Sequence, residues 1–332
     1  MSLIKHTIPI NPLDLKLSKA KLRSAITRII LLPITFLFLY FIIITVANDV
    51  SNYVLIWEYS QDVEFINIFS ALRLEIGSFF ILWGLANFFS AYTMIYLTGL
   101  LALSIKYYLF NKYLNHALLA YVLYVLAFVH LLDANQLRAA LASCVVIYAL
   151  FVSPKSKFTY FFLAGIAVLF HYSGVIILAL YFVRSPILIL ILMYVASFVF
   201  DLIVSSSPYL SFARVWLSDA AGQVNLTNSF WIMQVLISIL CAFNWNSLSE
   251  GQKRGALFNM VGVVAYVAFL NNAHVAHRVR ELTQLGIFAI LFLGSPRLTA
   301  VKFGTSVCFG YIVAYNLLLI SLELMSIYDI RL

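Results

Sequence analysis

Charge is scarce in this chain. Asp, Glu, Lys and Arg make up 10% of its 332 residues, against about 25% in a typical soluble domain. Hydrophobic residues make up 64%, and the mean hydropathy is +0.99. No water-soluble globule could bury that much apolar surface, so a soluble fold is excluded. Cysteine is nearly absent as well. Cys144, Cys241 and Cys308 each lie inside an apolar segment, with no disulfide or metal-ligand spacing, and read as small core residues. The short alternating segments of a membrane β-barrel are missing. So are long polar stretches, low-complexity tracts, clear internal repeats, glycine-rich phosphate loops and nucleophile elbows. Acidic residues are fewer than basic ones, 13 against 21, for a net charge of +8. The basic residues are scattered between apolar segments, which suits topology determinants and phosphate or lipid contacts rather than nucleic acid.

What remains is an all-α, polytopic integral membrane helical bundle, a single transmembrane domain over 1–332. Residues 1–28 carry Lys5, Lys16, Lys19, Lys21, Arg23 and Arg28 ahead of an apolar run at 29–47. That run is too long for a signal-peptide core, so it reads as an uncleaved first span with a cytoplasmic N-terminus. Residues 48–73 are then expected as a polar, aromatic external loop, and 205–228 as another. The run 74–89 decides the parity of the later spans. If it spans, Lys106, Lys112, Lys155 and Lys157 fall outside; if it re-enters or lies flat, they fall inside. The positive-inside rule favours the second arrangement. Further spans are expected at 92–110, 117–132, 138–152, 158–171, 173–183, 187–204, 229–243, 256–271, 282–294 and 303–322, about eleven in all.

With this topology the outer side collects Glu75, Arg138, His171, Arg214, His274, His277, Arg278 and Arg280. Arginines held on the side that the rule disfavours need another reason to be there. Arg138 and His171 lie symmetrically about the polar hinge at 153–157. An antiparallel hairpin folded at that hinge brings them together about 24 Å away from it, nearly a full hydrocarbon core of about 30 Å. Arg138 heads a helix with a small-residue face, Ala139, Ala142 and Ser143, and small residues let helices approach closely. It reads either as a snorkelling helix-end arginine or as a functional cation. His171 is either a structural hydrogen-bonded ring or a general base or phosphate contact. Arg278 and Arg280 resemble an oxyanion clamp, because guanidinium forks match phosphate oxygens; a salt bridge to Glu281 is the alternative. His274 and His277 are not part of an HExxH pattern and no third ligand is evident nearby, so no metal is expected. Glu75, Asp201 and Asp219 are acids that could serve as a base.

The central hairpin resembles the EpsG family of exopolysaccharide proteins and, more broadly, the Wzy-type O-antigen and capsule polymerases. The resemblance rests on Leu137-Arg138-Ala139-Ala140-Leu141-Ala142, the basic turn Lys155-Ser156-Lys157, Phe170-His171-Tyr172-Ser173 and Glu75-Ile76-Gly77-Ser78-Phe79, with Arg278 or Arg280 as the late arginine. One position departs from the family pattern: Ala139 stands where a Gln usually follows the arginine, and Gln136 lies on the other side.

The resemblance implies a polymerase with a GT-C-like architecture. It would transfer a growing glycan from undecaprenyl pyrophosphate to a lipid-linked repeat unit, at the periplasmic face of a bacterial inner membrane. Arg138, Arg278, Arg280 and the loop-borne Arg214 would then hold the diphosphate, and His171 or Glu75 would take the acceptor proton. His171 in a phosphate-binding role is the other option. No cofactor is expected. The implied partners are the lipid-linked donor and acceptor, membrane lipids and a chain-length regulator protein. A lipid-linked oligosaccharide flippase, a membrane acyltransferase and a non-catalytic assembly subunit are the rival readings. Ionisable groups gathered at one face favour an enzyme over a transport path.

Overall fold

The structure, a computed structural model, describes residues 30–45, 49–62, 75–152, 154, 156–182, 195, 226–269, 272–294 and 299–329. All the regular structure among them is helical, with no strand. The basic N-terminal segment, Arg73, all of the span expected at 187–204 except residue 195, and most of the loop expected at 205–228 lie outside the described residues. So do Lys155, Asp201, Arg214 and Asp219.

Helix α1 (Ile30–Thr45) meets α2 (Val50–Asp62) at 86°. Part of the expected external loop is therefore a helix. It is tied down along its length: the Asp49 N–H donates to Asn135 Oδ1 at 3.2 Å, Trp57 Nε1 to the Phe89 carbonyl at 2.8 Å, and Gln61 Nε2 to the Ala86 carbonyl at 3.0 Å. Next, α3 (Ile76–Ala86) has eleven residues. At about 16 Å it covers only half of a hydrocarbon core and cannot cross alone.

Among the described residues, two helices are long and apolar enough to cross by themselves, α4 (Ala91–Tyr113) and the first part of the final helix, Ala300–Leu322. Shorter apolar helices fill the space between. They are α5 (Ala117–Phe128), which runs into a π-helical turn at Val129–Asp133, then α6 (Leu137–Val152) and α7 (Lys157–Phe170). A 3₁₀ turn at Tyr172–Ile176 leads into α8 (Ile177–Phe182). After the undescribed stretch come α9 (Ser229–Phe243), α10 (Glu250–Ala268), α11 (Ala273–Thr283), α12 (Gly286–Phe292) and α13 (Ala300–Asp329).

The α6–α7 pair forms the expected hairpin, packed closely along its length. The small residues on α6 do what membrane packing asks of them: Ala139, Ala142 and Ser143 are all buried. An aromatic core centres on Phe288 of α12. Its ring lies 5.1 Å from Phe110, 5.4 Å from Phe309 and 5.9 Å from both Tyr124 and Phe128.

The structure corrects the sequence reading in two places. The span expected at 282–294 is not one helix: α11 ends at Thr283, the chain turns at Gln284 and Leu285, and α12 has only seven residues, all buried in the bundle. The break falls at Gln284, the polar residue near the head of that segment, just ahead of Gly286. The second correction concerns Lys106, which charge counting groups with the topology lysines. It is fully buried within α4, its Nζ 2.5 Å from Asp133 Oδ1, so its charge is answered inside the bundle.

Candidate functional site

Four chain segments far apart in sequence converge at the open end of the α6–α7 hairpin. Glu75 precedes α3, with extended backbone at φ −63° and ψ 135°. Its Oε2 accepts from Arg138 Nη1 at 2.7 Å. Its Oε1 faces the Tyr172 N–H at 3.4 Å. Glu75 therefore ties the start of α6 to the end of α7, as expected if Arg138 and His171 share one end of the hairpin. Both members of the ion pair keep some exposure, 27% for the Arg138 side chain and 15% for Glu75. Arg138 also meets the Tyr53 hydroxyl of α2. A guanidinium has five N–H donors, so these contacts leave capacity for a ligand.

Close packing holds Glu75 in place. A Cβ at Gly77 would stand 2.8 Å from the Leu169 carbonyl oxygen, so α3 rests directly on the backbone of α7 and only glycine fits. Ser78 Oγ donates to the Phe170 carbonyl, reinforcing the same contact. This gives a physical reason for an acid followed two positions later by glycine.

His171 ends α7 and caps the next turn. Its Nδ1 accepts the Ser173 N–H at 3.2 Å and lies 2.6 Å from Ser173 Oγ. A backbone N–H can only donate, so the neutral ring, assigned from that bond, carries its proton on Nε2. In that tautomer Nε2 bears a hydrogen and has no lone pair to accept a proton. Its ring stacks on Tyr172 with centroids 4.3 Å apart.

Helix α11 supplies the other wall. Asn272 caps it through Oδ1, which accepts from the Val275 N–H at 3.2 Å. Arg278 lies close enough to the Tyr172 hydroxyl to act on it electrostatically, as do Glu75 and Arg138. Glu281 then bridges the two walls: its Oε2 accepts from Arg278 Nη1 at 3.4 Å and from Gln136 Nε2 at 3.2 Å. The glutamine on the unexpected side of Arg138 is thus a structural link to α11.

The two late arginines are not equivalent. The Arg278 side chain is 20% exposed and that of Arg280 is 7% exposed. Arg280 lies over the Phe230 and Tyr266 rings, at 5.4 and 5.6 Å from their centroids, and donates to Asn228 Oδ1 at 2.8 Å. Asn228 caps α9, so Arg280 locks α9 to α11. Burial lowers the pKa of this guanidinium, and Glu281, 3.9 Å away, opposes the shift. Gln234 lies beneath Arg280 and joins Asn259 Oδ1 at 3.3 Å. His277 packs edge-on against Tyr266 at 5.3 Å, while the His274 side chain lies outside what is described. Among the described residues no three His, Cys, Asp or Glu side chains gather as a metal site.

Of the expected site residues, then, Glu75, Arg138, His171 and Arg278 frame one end of the hairpin, with Arg280 behind. Tyr172, Tyr53, Gln136 and Glu281 complete the frame. The salt bridge to Glu281, expected as the alternative to an oxyanion clamp, is present in both arginines' surroundings, whereas sequence alone gave Tyr172, Tyr53 and Gln136 no place in the frame. The two tyrosines are indistinguishable in sequence from lipid-facing aromatics.

The apolar all-helical bundle, with Glu75, Arg138, His171 and Arg278 gathered at one end of the α6–α7 hairpin, is that of a helical membrane protein. A family model described as EpsG family matches residues 26–327. The chain belongs to the EpsG family, a Wzy-like polymerase family, and so is an exopolysaccharide or O-antigen polymerase-type membrane protein. No curated protein and no solved structure matches the chain.

Proposed function

We propose that this protein joins lipid-linked glycan units at the outer face of a bacterial inner membrane, using undecaprenyl pyrophosphate as the leaving group. The observation that carries this reading is the convergence of Arg138, Arg278, Glu75 and His171 from separate segments onto one end of the α6–α7 hairpin. The acceptor sugar hydroxyl attacks the anomeric carbon of the donor glycan. A C–O bond forms there, the bond to the diphosphate oxygen breaks, and the electron pair leaves with the lipid diphosphate. Diphosphate departure needs cations fixed in advance where negative charge develops. Arg138 and Arg278 fit that need, each with guanidinium donors left after its carboxylate contact. Arg280 holds α11 so that Arg278 faces the pocket. Arg214 keeps its assignment as a loop-borne diphosphate ligand.

The hydroxyl proton needs an acceptor within hydrogen-bond reach. Glu75 fits best, since Oε1 makes only the long contact to the Tyr172 N–H. His171 then serves through its Nε2–H, donating to the diphosphate. The chain acts beside membrane lipids, with a chain-length regulator as protein partner. Purified protein incubated with lipid-linked repeat units tests the reading: a polymerase yields a ladder of lengthening products. A flippase, an acyltransferase or an assembly subunit yields none.

A further inference from the structure

We propose that Lys106, Asp133 and Tyr124 form a positioning cluster that sets where Arg138 stands in the pocket. The inference rests on the polymerase reading for its functional consequence. Lys106 Nζ lies 2.5 Å from Asp133 Oδ1, and the Tyr124 hydroxyl donates to Asp133 Oδ2 at 2.6 Å. All three residues are fully buried. Taking two opposite charges out of water costs more than packing an apolar pair of equal volume, so stability alone does not account for the cluster. Topology does not account for it either, because the lysine is paired inside the bundle.

Its place in the chain does. Asp133 is the last residue of the π-helical turn, in which the Ala134 N–H reaches back five residues to the Val129 carbonyl at 2.8 Å. A π turn holds one extra residue and re-aims the chain beyond it. Relaxing it to α-helix would rotate the next residues by about 100°. Those residues are the ones that build the site: Asn135 accepts from the Asp49 N–H just ahead of α2, Gln136 bonds Glu281, and Arg138 bonds Glu75. With both carboxylate oxygens held from α4 and α5, Asp133 cannot turn. Its carbonyl is also pinned, since a Cβ at Gly99 would stand 2.6 Å from it. The cluster thus fastens the π turn to α4 from two sides and fixes the register of the segment that carries Arg138.

The test uses full-length protein in detergent or liposomes. The triple variant Lys106→Met/Asp133→Leu/Tyr124→Phe removes the charges together, so that no member of the cluster is left as an unpaired polar group. Amide hydrogen exchange across 134–140 should accelerate while 141–152 stays protected. Activity per folded molecule should fall by about 10²-fold, the scale expected for a misplaced binding group. Arg138→Lys should then cost far less in the triple variant than in the wild type, because coupled sites are non-additive. Unchanged exchange at 134–140, full activity, or strictly additive losses would overturn the proposal. If the triple variant does not fold, Asp133→Glu keeps the pair but lengthens it by one methylene. It should lose at least about tenfold in activity and exchange faster at 134–140; wild-type behaviour in both overturns the proposal. A wild-type protein that builds no ladder defeats the polymerase reading instead, and exchange at 134–140 still decides whether the cluster holds the segment.

Discussion

Arg138 Nη1 lies 2.7 Å from Glu75 Oε2, joining the start of α6 to the residue ahead of α3, 63 positions earlier in the chain. The pair orients the guanidinium without enclosing it, because the arginine side chain remains 27% exposed. Its replacement should therefore cost function more than folding. Arg138→Lys keeps the charge but loses the planar fork. The expected result is a fall of about 10²-fold in polymerisation rate, with the protein still inserted and abundant on a membrane immunoblot. Wild-type rate in the lysine variant would reduce Arg138 to a point charge.

The tautomer of His171 separates its two roles. A glutamine amide can stand in for an Nε2–H donor but cannot take a proton. His171→Gln should keep about a tenth of the activity, while His171→Ala should lose about 10²-fold or more, measured as rates per folded molecule. Equal, near-complete loss in both variants would return the ring to the base role.

Arg278 and Arg280 should part company. Arg280→Ala removes the bond to Asn228 and the stacking on Phe230 and Tyr266. It should destabilise the protein by about 2–3 kcal/mol, read as a lowered thermal midpoint in detergent. Arg278→Ala should leave the midpoint within a few degrees and cut chain growth by about 10²-fold. The reverse pattern would exchange their roles.

Labelling in intact cells checks the topology. With Cys144, Cys241 and Cys308 replaced, single cysteines at Lys157 and Lys253 should resist an impermeant thiol reagent, and one at Asn52 should react. Labelling at Lys157 would mean that the hairpin is inverted and the pocket faces the cytoplasm.

The sequence made the hairpin legible because Arg138 and His171 interrupt apolar segments at matched distances from a polar hinge. The fold class was legible for the same reason that a soluble fold was excluded: too little charge for too much apolar surface. Glu75 and Arg138 were each visible, but as separate candidates. Nothing local announces an ion pair between residues so far apart; the rest of Gly77 on α7, with the Ser78 bond to the Phe170 carbonyl, brings the acid to the arginine. Lys106 misled for a different reason. Charge counting cannot tell a loop lysine from one whose partner, Asp133, sits at the end of the next helix. An acid and a lysine both within apolar segments were the available signal. The break between α11 and α12 was signalled by Gln284 and Gly286 within an otherwise apolar run. Average hydropathy hides such a break.

The central claim, that these cations stabilise a departing lipid diphosphate, is tested most directly by counting that product. Purified protein in liposomes is given lipid-linked repeat units, and released undecaprenyl pyrophosphate is measured against new glycosidic linkages. The expected result is one diphosphate lipid per linkage for the wild type, with both falling together by about 10²-fold in Arg138→Ala and Arg278→Ala. Linkages formed without diphosphate release, or full release by both alanine variants, would contradict it.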